Sequence, residues 1–303
     1  MTPIRQAGIL FNPRSGRKRA SSFASSISVY FSSKGVRIRS RESSRKYCKD
    51  DLLEFLNTLD VLIIVGGDGT IRSLLPVLAE TGVPVALFPA GNESLISRQF
   101  GISTSIPDLY DKVLAGHTQM SYHAEVNGIP FFLMAGIGLD SEVVKQVDAI
   151  RTGGSSSLLY LRAGIRAISR FNPGFFSSVP SIDYGESPIK NTFLDSAPFS
   201  GSLVVANSSF YARSFFPVPE ANSQSSLFSV RLFREERVAT FKNWLFSLAM
   251  GKGVSFSNSD FARVKSVMIQ SESDVPLQLD GDYIGDYKEF HFKKFEKQIC
   301  FIC

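Results

Sequence analysis

Cysteine, histidine, tryptophan and long apolar runs are all scarce in this chain. The three cysteines, Cys48, Cys300 and Cys303, are odd in number, and only the terminal two lie at metal-ligand spacing. That usage, with no secretory leader, fits a reducing cytoplasm rather than a disulfide framework. His117, His123 and His291 are the only histidines, and none falls in a zinc-ligand or nucleophile-elbow motif. Neither metalloprotease nor serine-hydrolase chemistry is therefore supported. The longest apolar runs, near residues 129–139 and 244–250, fall short of the ~20 residues that cross a bilayer, so membrane contact is expected to be peripheral.

What is present describes a folded protein. With 303 residues, 44% hydrophobic and 20% charged, the chain is long enough for two domains and apolar enough to give each a core. The net charge of +5 favours an anionic partner: nucleotide, nucleic acid or an acidic membrane surface. Basic residues gather at Arg14, Arg17, Lys18 and Arg19, then at Arg37, Arg39, Arg41, Arg45, Lys46 and Lys49, where a solvated face is the competing reading. These clusters lack a recognised nucleic-acid-binding fold, so nucleic acid is not an expected partner.

Apolar runs at residues 7–11, 61–65 and 83–88 read as buried strands, and the amphipathic stretches 21–33, 52–59 and 71–79 between them read as helices. Pro76 is expected to kink the last of these or delay its start. This alternation predicts a parallel sheet covered by helices over about the first 120 residues. From Ser121 onward short runs dominate, among them 122–126, 130–135, 201–206, 227–233, 264–269 and 277–279, the texture of β-sheet. One basic amphipathic helix, 157–171, carries Arg162, Arg166 and Arg170 on one side. It could lie on an anionic membrane or pack on the sheet.

The strongest chemical signal is the strand Val61–Val65 running directly into Gly66-Gly67-Asp68-Gly69-Thr70 and a helix. Glycines let a backbone approach phosphate oxygens, and the following helix N-terminus points N–H groups at the anion. Asp68 would repel a bare triphosphate, so it should help hold Mg²⁺ or accept a proton from an attacking hydroxyl. The competing reading is a tight turn with Asp68 as a helix cap. The turn lacks the Lys-Ser/Thr pair of a Walker loop, and Arg72 stands where a dinucleotide fingerprint needs its third glycine.

Four motifs in order, Asn12-Pro13-x-Ser15-Gly16, Gly66–Thr70, Pro89-Ala90-Gly91-Asn92-Glu93-Ser94-Leu95 and Leu279-Asp280-Gly281-Asp282, resemble the diacylglycerol kinase catalytic family over nearly the whole chain. That family includes lipid, sphingosine and ceramide kinases and is distantly related to NAD kinases. The resemblance implies an α/β nucleotide-binding domain over residues 1–121 and a β-sandwich lipid or substrate domain over 122–291. Residues from about 292 to 303 would return to the first domain. It further implies ATP with Mg²⁺, and a lipid alcohol as acceptor. Carried over by position, Asn12, Pro13, Ser15, Gly16, Gly66, Gly67, Asp68, Gly69, Thr70, Gly91, Asn92, Glu93 and Ser94 would bind the nucleotide. Asp68 would hold Mg²⁺ near the γ-phosphate, and Asp280 and Asp282 would supply the general base. Asp-Gly alone reads simply as a hairpin turn. Gly136-Ile137-Gly138-Leu139-Asp140 also resembles a family signature, read here as backbone packing followed by a helix start.

Three departures stand out. Arg72-Ser73 replaces the usual Asn-Glu, Gly91-Asn92-Glu93-Ser94 replaces Gly-Thr-x-Asn, and Ser225-Ser226 replaces the Asp-Gly of a structural metal site in some bacterial relatives. Three functions follow as alternatives: a lipid kinase, a metabolite kinase resembling NAD kinase, or a catalytically degraded nucleotide- or lipid-binding relative. Phe131, Phe132, Phe175, Phe176, Phe210, Tyr211, Phe215 and Phe216 would line an acyl pocket or simply fill the core. The expected location is cytoplasmic, peripheral at the inner membrane surface.

Overall fold

The computed structural model describes residues 4–43, 48–90, 94–150, 174–178, 182–188, 192–195, 198–210, 218–234 and 259–303. The chain divides into two compact units, Met1–His123 with Glu296–Cys303, and Ala124–Phe295. The expected helix over 157–171, the aromatic cluster from Tyr211 to Phe216, and Arg45, Lys46, Gly91, Asn92 and Glu93 lie outside the described residues.

The first unit alternates strand and helix: β1 (Gln6–Phe11), α1 (Arg19–Ser33), β2 (Arg37–Glu42), α2 (Lys49–Asn57), β3 (Val61–Gly66), α3 (Asp68–Thr81), β4 (Val85–Pro89), α4 (Leu95–Gln99), α5 (Ile106–Ala115) and β5 (Thr118–Ser121). β1 pairs in parallel with β2 and β3, and β3 with β4. All six residues of β3 are buried, as an apolar β-branched run predicts for a strand covered on both faces. The edge strand β2 instead alternates around exposed arginines. α3 runs unbroken through Pro76 and starts at Asp68, earlier than expected. Proline removes one backbone donor, but burial of Ile71, Leu74, Leu75, Val77 and Leu78 holds the helix together.

The second unit is antiparallel. Its strands are β6 (Ala124–Val126), β7 (Ile129–Phe131), β8 (Met134–Ile137), β9 (Gly174–Ser178), β10 (Phe199–Ala206), β11 (Phe228–Arg234), β12 (Asp260–Val264), β13 (Ser266–Leu279) and β14 (Asp282–Lys294), with helix α6 (Leu139–Ile150) after β8. They form one sheet in the order β12-β11-β10-β8-β13-β14-β6-β7, with β9 pairing β10 and β13. The separate runs expected at 264–269 and 277–279 belong largely to one long strand, β13, whose register to β14 shifts between Gln270 and Val275. The final strand, β15 (Ile299–Ile302), lies in the first sheet between β4 and β5. The architecture is thus the expected α/β unit with a mostly parallel sheet plus an antiparallel β-sandwich-type unit.

Candidate active site

In the first unit two turns meet. β3 ends at Gly66, and Gly67, in an extended conformation, caps α3. A Cβ on Gly66 would come within 2.8 Å of the Thr70 side chain, so the turn closes only with glycine there. The turn after β1 folds onto the same helix start: Asn12 Nδ2 donates to Thr70 Oγ1 at 3.1 Å, and Ser15 Oγ lies 3.4 Å from that oxygen. Asn12 Oδ1 also accepts the Arg14 N–H at 3.0 Å, closing an Asx turn around Pro13. Gly16 has φ +59°, and a Cβ on it would lie 1.7 Å from Ala90 O. Asn12, Pro13, Ser15, Gly16, Gly66, Gly67, Gly69 and Thr70 are therefore gathered around the N-terminus of a 14-residue helix. Among the described residues, a Cβ on Gly67 would meet nothing within 4 Å.

Asp68 caps a helix, but not its own. Its Oδ2 accepts the Leu95 N–H at 2.8 Å and its Oδ1 the Ile96 N–H at 3.0 Å, tying the phosphate-type turn to the start of α4. Ser94, buried just before that helix, adopts φ +15° and ψ +64°. Ser73, which stands in place of an acid, turns its Oγ to Thr70 O at 2.8 Å.

In the second unit Asp280-Gly281 is the two-residue turn between β13 and β14, with Leu279 paired to Asp282. Their φ values, +51° and +87°, are those a type I′ hairpin requires. The hairpin reading is therefore correct, and Asp280 does more than turn the chain. Its Oδ2 accepts the Phe132 N–H at 2.9 Å, and its Oδ1 accepts those of Leu133 at 2.7 Å and Met134 at 3.1 Å. Asp282, by contrast, is exposed at the start of β14. At this end of the hairpin β13 pairs with β8 through Leu277–Leu279, whereas β14 meets β6 only at Phe292–Lys294, far from Asp282.

Other expectations resolve toward packing. Phe131, Phe132 and Phe176 are fully buried and serve the core. At the Ser225 position Arg263 Nη2 donates to Ser225 Oγ at 3.1 Å, and the Lys294 ammonium lies 3.4 Å from Leu227 O and donates to Asn207 Oδ1. A guanidinium and a lysine amine so placed, both donors, do not fit a structural dication. Among the described residues no three His, Cys, Asp or Glu side chains group to hold a metal, and no helix is long and apolar enough to cross a membrane. Lys294, which sequence reasoning missed, is buried by the sheet. That burial, then the charge of Arg263, pushes its pKa down to about 7.

Comparison with known proteins agrees with this arrangement. Residues 6–126 match the Diacylglycerol kinase catalytic domain, and residues 134–291 match the YegS C-terminal NAD kinase beta sandwich-like domain. The chain is 25% identical over 234 residues to a diacylglycerol kinase of Mycobacterium tuberculosis (strain ATCC 25618 / H37Rv), covering 74% of this chain and 71% of that one. It is 21% identical to the diacylglycerol kinase of Bacillus subtilis (strain 168), covering 93% and 91%. The protein sll0036 of Synechocystis sp. is 33% identical over 105 residues, which is 35% of this chain but only 24% of that protein's length. A crystal structure of a diacylglycerol kinase from Bacillus anthracis str. Sterne superposes with a TM-score of 0.66 at 16% identity, covering 100% of this chain and 98% of that one, a likeness of fold. Matched by both domains in order, the chain belongs to the diacylglycerol kinase-like family of lipid kinases.

Proposed function

We propose that this protein transfers the γ-phosphate of ATP to the hydroxyl of a diacylglycerol-like or sphingoid lipid. The observation that carries this reading is the union of the Asn12–Gly16 and Gly66–Thr70 turns at one helix N-terminus, where no described residue lies within 4 Å of a Cβ on Gly67. Such a terminus presents backbone N–H groups to an anion, and the glycine lets phosphate oxygens come close. Asn12, Ser15 and Thr70 fix the two turns together, so the cradle is formed before the nucleotide arrives. In this reading the first unit holds ATP, with Gly91, Asn92, Glu93 and Ser94 as further nucleotide contacts by their motif, and the second unit holds the acceptor.

Asp68, whose two oxygens accept from Leu95 and Ile96, would be the carboxylate that holds Mg²⁺, an ion that commonly takes one or two carboxylates and completes its shell with nucleotide phosphates and water. Bound there, Mg²⁺ would neutralise charge that develops on the transferring phosphoryl group. The chain's own residues orient the nucleotide and hold the proton acceptor. Of the two late acids, Asp280 lies in the turn with its carboxylate on three backbone N–H groups, whereas Asp282 is exposed, which supports Asp282 as the general base. The exposed arginines of β2, Arg37 and Arg39, give the anionic membrane surface a place to dock.

Incorporation of γ-labelled phosphate into diacylglycerol in mixed micelles, lost in Asp282→Asn, tests this reading. A protein that is stabilised by ATP but transfers no label would instead be the degraded, nucleotide-binding relative.

A further inference from the structure

The turn that carries Asp282 is held by a buried relay that begins in α6. Asp140, the second residue of that helix, is 5% exposed, and its Oδ2 accepts from Gln278 Nε2 at 2.8 Å. Gln278 is fully buried on β13, and its other end, Oε1, accepts the backbone N–H of Gly281 at 2.9 Å. The sense of this amide is forced. Gly281 N–H only donates and an ionised carboxylate only accepts, so a flipped amide would set donor against donor and acceptor against acceptor.

The surrounding backbone is shaped around the pair. A Cβ on Gly136 of β8 would lie 2.5 Å from Asp140 Oδ2 and 2.8 Å from Gln278 Nε2, so that strand position must be glycine for the two side chains to meet. Gly138, at φ +97°, leads into α6, and Ser202 Oγ of β10 accepts the Leu139 N–H at 3.0 Å, fixing where the helix begins. On the other side of the turn, Asp280 N–H donates to Met134 O at 2.9 Å while its carboxylate takes the three N–H groups beyond Phe131. Every polar handle of the Asp280-Gly281 turn described here is thus tied to β8, to the segment before it, or to α6 through Gln278.

A two-residue hairpin with these φ values forms without such help. Burying an amide and a carboxylate to brace it is unfavourable unless both are satisfied, and the reward is a turn of fixed direction. We propose that Asp140 and Gln278 are positioning residues, which fix the Asp280-Gly281 turn so that Asp282 meets the lipid hydroxyl in one orientation. This rests on the assignment of Asp282 as the base.

The test uses the full chain and four variants: Gln278→Met, which keeps the bulk and loses both hydrogen bonds, Gln278→Ala, and Asp140→Asn beside Asp140→Ala. Three readouts are taken: amide hydrogen exchange at Gly281, kcat and KM for ATP with micellar diacylglycerol, and melting temperature. Exchange at Gly281 should quicken at least about tenfold in Gln278→Met while kcat falls between about 10-fold and 100-fold and KM for ATP stays within about twofold, the signature of misplacement rather than lost binding. Asp140→Asn keeps an acceptor for Gln278 and should lose less than Asp140→Ala. Unchanged Gly281 exchange overturns the relay whatever the kinetics. Faster exchange with unchanged kcat overturns the positioning role. Faster exchange in a protein whose parent phosphorylates no lipid would leave the brace standing and remove the kinase reading, which separates the two failures. Should Gln278→Met melt too low to assay, the Asp140 pair, read by the same exchange and kcat measurements, decides.

Discussion

Asp68 and Leu95, 27 residues apart, are joined by a 2.8 Å hydrogen bond from the Leu95 N–H to Asp68 Oδ2. The acid of the glycine turn therefore also caps the next short helix. Asp68→Asn retains one acceptor and opposes its amide to the Leu95 or Ile96 N–H. Transfer should fall at least ~100-fold, within the range of acid–base and charge-stabilising groups. Stability should fall by about 1–3 kcal/mol from the lost charged hydrogen bond. Paired turnover and thermal melting measurements check both. Near-normal turnover in Asp68→Asn would remove Asp68 from the chemistry.

The two glycines of the cradle should behave oppositely. Gly16→Ala places a Cβ 1.7 Å from Ala90 O at a positive φ and should unfold or strongly destabilise the first unit. Gly67→Ala meets no described residue within 4 Å and should leave melting unchanged, yet weaken ATP binding about tenfold or more if phosphate occupies that space. Titration of ATP by calorimetry decides it, and full affinity in Gly67→Ala would place the phosphates elsewhere.

Asp280 and Asp282 should separate by phenotype. Asp280→Ala strands three backbone donors and should cost on the order of 3 kcal/mol. Asp282→Asn, at an exposed position, should leave denaturant midpoints alone and abolish transfer. An Asp280→Ala protein with unchanged stability would contradict the anchoring role.

Much of this was legible in the sequence. The run Val61–Val65 is apolar because both its faces are covered, and glycine spacing marks the turn that follows. Asp-Gly marked the hairpin at residue 280. What the sequence hid were partners set by tertiary contact: the α4 amides on Asp68, the three amides on Asp280, and Gln278, whose only signal is a polar residue in an otherwise buried strand segment. The alternation of β14 does put Lys294 on the inward face of Phe290 and Phe292, but a lysine at the end of an apolar face reads locally as the point where the strand reaches solvent rather than as a buried amine. The early start of α3 and its passage through Pro76 were misread because propensity is local, whereas core burial decides.

Lys294 gives a pH signature of its own. Its folded pKa, lowered to about 7 from an ordinary 10.5, means that the unfolded chain binds more protons between those values. Stability contributed at this site therefore rises with pH from about 7 toward 10, by at most ~1.4 kcal/mol per pH unit, and the penalty of charging the buried amine is fully present below 7. Denaturant unfolding of the parent between pH 7 and 9 should show this rise relative to Lys294→Met. Parallel profiles would mean that the amine stays charged in the fold.

The central claim is tested most directly by offering the protein γ-labelled ATP and a panel of acceptors: diacylglycerol, monoacylglycerol, sphingoid base and ceramide in mixed micelles, and NAD in detergent-free buffer. The account predicts label in at least one lipid, enhanced by anionic vesicles through the basic surface and absent from NAD. Label in NAD with none in any lipid would contradict it.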